Sequence, residues 1–107
     1  MLAEISLVPV GSGEDLGDAV AEVLDIIDQS GVDYVLTPMG TVLEGEWDQI
    51  MGLVKKCHDK MRQSHRRVLT NIKIDDREGA KQRLTGKVRE VEEKTGRQLN
   101  KLPGQDK

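Results

Sequence analysis

A chain of 107 residues with no Phe, one Tyr and one Trp must build an aliphatic core, and its length fits one domain that gains from self-association. The single cysteine excludes an intramolecular disulfide and the usual multi-cysteine zinc patterns, so no metal site is expected. The net charge of −3 hides an asymmetry: residues 1–54 carry 11 Asp and Glu and no Lys or Arg, while residues 55–107 carry 16 Lys and Arg against 8 acids.

Ala3 to Val8 alternates as a half-buried strand, with Ala3, Ile5 and Leu7 facing one way, and Pro9 and the Gly11-Ser12-Gly13 turn close it. Ser12 and Asp15 resemble a capping box. The following helix has its apolar face at Leu16, Val20, Val23, Leu24 and Ile27, and Gly31 is the expected stop. Val32 to Thr37 reads as a second strand ended by Pro38, and Thr41 to Glu44 as a short third, which makes a hairpin. Gly45-Glu46-Trp47-Asp48 opens a second helix with the stripe Trp47, Ile50, Met51, Val54, Cys57 and Met61. Arg67 to Asp75 alternates again as a fourth strand, and a last helix at about 80–95 carries Ala80, Leu84, Val88 and Val91. The tail from Gly96 to Lys107 is polar, so residues 1–95 are expected to form the domain and 96–107 a tail.

The order β-α-β-β-α-β plus a C-terminal helix predicts an α+β fold, the ferredoxin-like sandwich: a four-stranded antiparallel sheet with two helices on one face. The other face needs a cover, which a ligand, a partner subunit or the extra helix can each supply.

Cys57 lies on an apolar helical stripe and reads as a small buried hydrophobe. His58 and His65 are two helical turns apart, too far to share a metal ion without other ligands. The basic run Lys55, Lys56, Lys60, Arg62, Arg66 and Arg67 reads as surface charge, solvated or paired with the acidic first helix; a sulfate or phosphate site is the alternative. Gly11-Ser12-Gly13 is a weak anion-nest signal. Without stacking aromatics among the basic residues, no nucleic-acid partner is expected. No nucleophile–base pair is evident, so no catalytic residue is assigned and the chain is not expected to be an enzyme.

The stretch Thr37 to Asp48, TPMGTVLEGEWD, contains the only Trp. Its glycines and proline have architectural roles. Glu44 is the residue that architecture leaves over: a carboxylate beside an aromatic plane is a recognition pair for a cationic or amine-bearing heterocycle.

The runs LVPVG at 7–11, GTVLEGEWDQIMGL at 40–53 and RVLTNIKIDDR at 67–77 resemble the small thiamine-binding protein family, and the resemblance covers roughly residues 3–95. It implies a ferredoxin-like domain that assembles as a dimer of dimers, a homotetramer. It also implies binding of thiamine or its hydroxymethylpyrimidine moiety, with no cofactor required. Family motif positions fall on Pro9, Thr41, Glu44, Gly45 and Trp47. On this reading Glu44 accepts from the pyrimidine amine, Thr41 hydrogen-bonds nearby and Trp47 forms an apolar wall, with Ser6 and Asn71 on the sheet face as further contacts. The alternative is a regulatory or structural oligomeric protein that binds an anion or a protein partner and has no thiamine role. The expected location is the cytoplasm, with no membrane partner, because no apolar run approaches a span of about 20 residues.

Overall fold

Two periodicities, 2 in the strands and 3.6 in the helices, sort the aliphatic residues onto one shared layer. The computed structural model describes residues 1–11, 16–79 and 83–100. Its elements are β1 (Leu2–Pro9), α1 (Gly17–Gln29), β2 (Asp33–Thr37), β3 (Gly40–Glu44), α2 (Trp47–Ser64), β4 (Val68–Asp75) and α3 (Arg83–Thr95). The sheet is antiparallel in the order β2-β3-β1-β4. This is the expected ferredoxin-like arrangement, with α1 and α2 sharing one face and α3 as the addition.

The core lies between the sheet and that helix pair. Ala3 and Ile5 of β1 and Leu43 of β3 meet Val23 and Ile27 of α1 and Ile50, Leu53, Val54, Cys57 and Met61 of α2. Burying each of these aliphatic side chains is worth roughly 1.5–3 kcal/mol. Register fixes which side chains share the face: Ala3 opposes Leu43 and Ile74, and Ile5 opposes Thr41 and Ile72. The alternate set, which includes Glu4, Ser6, Val42, Glu44, Asn71 and Lys73, belongs to the other face.

Pro9 is the last residue of β1 rather than the breaker after it. The Val10 N–H donates to the Arg67 carbonyl at 2.8 Å, so Val10 and Arg67 are a hydrogen-bonded pair. By alternation Pro9 and Val68 are a non-bonded pair, where a missing N–H costs no ladder bond.

Several finer expectations are corrected. Val20, expected in the core, is 41 % exposed, because the sheet withdraws beneath it. Trp47 is 53 % exposed and stays off the core, where Leu53 takes the place on the stripe that was assigned to it. Trp47 is the first residue of α2, behind the Glu46 N-cap, and at 100° per residue it falls at the margin of the arc that Ile50, Val54, Cys57 and Met61 bury. Among the described residues no ion pair joins α1 to α2; Lys55 pairs instead with Asp59 on its own helix. The Ser12–Asp15 cap, the rest of the glycine turn and Ala80 lie outside the described residues, as do residues 101–107. Leu16 is the N-cap residue of α1 and makes no side-chain cap.

Candidate functional site

The opposite ends of β3 carry two different concavities. Their difference begins with the strand's length. β1 pairs with β4 over all eight of its residues but with β3 only through Ile5. Beyond Ile5, β3 has already turned back into β2 at Pro38-Met39. The Thr37 hydroxyl secures that turn by accepting from the Met39 and Gly40 N–H groups at 3.2 and 3.1 Å and donating to the Gly40 carbonyl at 2.8 Å. Gly40 is required at this crossing, because a Cβ there would stand 2.8 Å from the Ile5 carbonyl oxygen.

The sheet thus leaves a notch of about 190 Å³ between the end of β1, the hairpin tip and the helix pair. Its apolar wall includes Val20, Val23, Leu24, Leu36 and Met61, and Ser6 and Thr41 bring hydroxyl-bearing residues to it. Thr41 is the one buried polar residue among those described, at 5 % exposure, and it borders the notch. Ala3 and Ile5 face β3 with their backbone groups, so by alternation Leu7 does too. There β3 is absent, and the Leu7 N–H and C=O look into the notch rather than at a partner strand. A donor and an acceptor side by side, a hydroxyl and apolar walls together suit a flat heterocycle that has its own donor and acceptor on one edge. A dry cavity of about 150 Å³ accommodates a benzene ring, so the space suffices for one six-membered ring.

At the other end of β3 lies a wider cleft of about 470 Å³, bordered by Glu44, Glu46, Trp47, Asp76 and Glu78 among others. Here Glu44 has a partner of its own. Its carboxylate accepts from the backbone N–H groups of Arg83 at 2.7 Å and Leu84 at 3.3 Å, the first turn of α3. Those N–H groups have no partner within their helix, and the helix dipole favours an anion at that point. Glu44 therefore holds α3 to the sheet, which corrects the expectation that architecture leaves this carboxylate unused. Arg83 also donates through Nη2 to Glu90 at 3.0 Å, and that guanidinium, helped by Lys94, holds the Glu90 carboxyl below its ordinary range.

Gly45 and Glu46 behave as expected of a helix start. Glu46 and Gln49 form a capping box ahead of Trp47, and a Cβ on Gly45 would meet Gln49 Oε1 at 2.6 Å.

The five residues singled out from the sequence do not meet in one place. Thr41 and Ser6 border the notch, Glu44 and Trp47 border the cleft, and Asn71 sits exposed on the other sheet face opposite Ser6 in register. Thr41 and Glu44 are three residues apart on one strand, so they point to opposite faces. Leu7 and Val20 were missed as wall residues. Leu7 contributes backbone, for which side-chain chemistry gives no signal. Among the described residues no group of three or more His, Cys, Asp or Glu is placed to hold a metal ion, and no helix is long and apolar enough to cross a membrane.

Comparison with known proteins places the chain in a family. Residues 3–92 match the model of the thiamine-binding protein family. The chain belongs to that family. A UPF0045 protein of Methanothermobacter thermautotrophicus is 38 % identical over 95 residues, covering 86 % of this chain and 96 % of its own. The crystal structure of a hypothetical protein of Methanocaldococcus jannaschii superposes with a TM-score of 0.80 at 28 % identity, covering 86 % of this chain and 95 % of that one. A Thermotoga maritima protein provisionally assigned to thiamine biosynthesis or salvage superposes at 0.75 with 26 % identity, covering 84 % and 96 %.

Proposed function

We propose that this chain binds thiamine or its hydroxymethylpyrimidine moiety in the notch, without turnover, and that it works as a homo-oligomer in the cytoplasm. Membership of the thiamine-binding family supports the ligand class. The observation that carries the site is Thr41, the one buried polar residue among those described, standing in the wall of the notch. A hydrogen bond from a ligand to its hydroxyl contributes about 0.5–1.5 kcal/mol net.

In this pose the aminopyrimidine ring occupies the apolar space between Val23, Leu36 and Met61. Its amine and ring nitrogen face the Leu7 carbonyl and N–H, Thr41 stands within reach of its remaining polar edge, and Ser6 borders the notch from the other face of the sheet. The thiazolium of thiamine projects to the mouth. Every residue named as lining the notch except Met61 comes from the half of the chain that carries 11 acids and no bases, a setting that favours a cation. None of the described lining residues carries a titratable side chain, which supports binding rather than acid–base chemistry.

Titration calorimetry with thiamine and with hydroxymethylpyrimidine tests this reading. Thr41→Val is expected to weaken binding about tenfold, the equivalent of one hydrogen bond at ~1.4 kcal/mol. Assembled protein that gives no heat with either compound contradicts the proposal.

A further inference from the structure

The described chain leaves eight large apolar side chains exposed, and four of them, Val8, Val20, Leu36 and Met39, border the notch. Apolar residues exposed singly need no explanation, but a rim of them round one concavity marks a place where something is buried. Met39 is the extreme case at 84 % exposure, against 53 % for Leu36.

Architecture does not ask for a methionine there. Thr37 pairs with Gly40, so Pro38 and Met39 form the two-residue tip of the β2-β3 hairpin. Such turns favour Gly, Asn, Asp or Pro for backbone reasons that a long thioether does not serve. The tip is also secured without the Met39 side chain. The Thr37 hydroxyl accepts from the Met39 and Gly40 N–H groups, Pro38 fixes its own φ, and Gly40 lies against the Ile5 carbonyl. On that fixed frame the Met39 side chain, unbranched and with three rotatable bonds, is the part that can move, and its sulfur packs favourably on aromatic rings.

We propose that Met39 is the closing wall of the ligand site, its thioether folding from the hairpin tip over the open side of the bound heterocycle, and that oxidation of this sulfur releases the ligand. The ring then lies between a fixed apolar wall, which includes the buried Met61, and a mobile one. This switch rests on the notch being the binding site and adds regulation to it.

Hydrogen peroxide is the oxidant. The sulfur lone pair attacks one peroxide oxygen, the O–O bond breaks, an S–O bond forms and water leaves; sulfur gives up two electrons and the peroxide is reduced. The product is a polar sulfoxide, which must shed water to lie against the ring, so closure is lost. The other sulfurs are screened or remote. Met61 is 3 % exposed, and burial both hides the Cys57 thiol and pushes its pKa up to about 11, which leaves little thiolate to react. Met1 and Met51 do not line the notch.

Titration calorimetry with hydroxymethylpyrimidine tests both halves. Met39→Ala is expected to bind about tenfold more weakly than wild type with native melting, and Met39→Leu, which keeps apolar bulk, to stay within about threefold. Treatment with hydrogen peroxide is expected to weaken wild type about tenfold and Met39→Leu less than about twofold, and methionine sulfoxide reductases to restore the oxidised wild type. Binding by Met39→Ala that matches wild type overturns the closing wall and leaves the notch standing as the site. Oxidised wild type that keeps its affinity, or an equal loss in wild type and Met39→Leu, overturns the switch at this sulfur. Wild type that gives no heat before oxidation overturns the binding reading itself, and the closing wall with it.

Discussion

The two ends of β3 differ in what their polar residues have left to do. At the Thr41 end the strand stops short, and Thr41 and Leu7 border a largely apolar notch. At the Glu44 end a carboxylate already spends both oxygens on the first turn of α3. A carboxylate next to a tryptophan looks like the stronger recognition pair, yet the structure gives it an internal partner. Hydrogen-bond accounting thus gives Glu44 a structural role that side-chain chemistry alone does not announce.

Gly40→Ala is expected to have the largest effect, since it drives a Cβ to 2.8 Å from the Ile5 carbonyl and disturbs the hairpin that frames the notch. A loss of about 1–3 kcal/mol is expected. It should appear in thermal melts as a fall of several degrees, together with loss of ligand heat. Unchanged stability in this variant would mean that the hairpin does not cross β1 so closely. Thr41→Val, with its roughly tenfold loss of affinity and near-native melting, separates the hydroxyl from the frame.

Glu44→Ala should act elsewhere. It removes the anchor of α3, an effect comparable to losing a helix cap at ~0.5–2 kcal/mol. Amide hydrogen exchange is expected to speed up across Arg83–Thr95 while the rest of the sheet keeps its protection. The smallest change is expected for Trp47→Ala, whose ring is half-exposed and off the core; melts should agree with wild type within about 0.5 kcal/mol.

Much of the fold was legible because local signals agreed. Gly31 ends α1 at a φ of 80°, Glu46 with Gln49 caps α2, and the alternation of Val68, Thr70, Ile72 and Ile74 set the inner face of β4. Part of the site was legible as well. The period of 2 already separates Thr41 from Glu44, so their placement on opposite faces could have been read from spacing alone. The partner of Glu44 could not. Arg83 and Leu84 lie 39 and 40 residues away in the chain, and nothing local announces which carboxylate will meet a distant helix end. The notch was equally hidden, because it arises from the unequal lengths of β1 and β3 and is lined in part by the backbone of Leu7. Trp47 illustrates the opposite error: a large aromatic near a helical spacing reads as core, but it stands at the margin of the buried arc, and within that turn Ile50 is the residue in the core.

The central claim is that ligand recognition resides at the Thr41 end of β3 and α3 anchoring at the Glu44 end. Calorimetry with hydroxymethylpyrimidine on Thr41→Val and Glu44→Ala, side by side with wild type, tests it most directly. Binding about tenfold weaker is expected for Thr41→Val, with less than a twofold change for Glu44→Ala. Near-native affinity in Thr41→Val with binding lost in Glu44→Ala would contradict it and move the site to the acidic cleft beside Trp47.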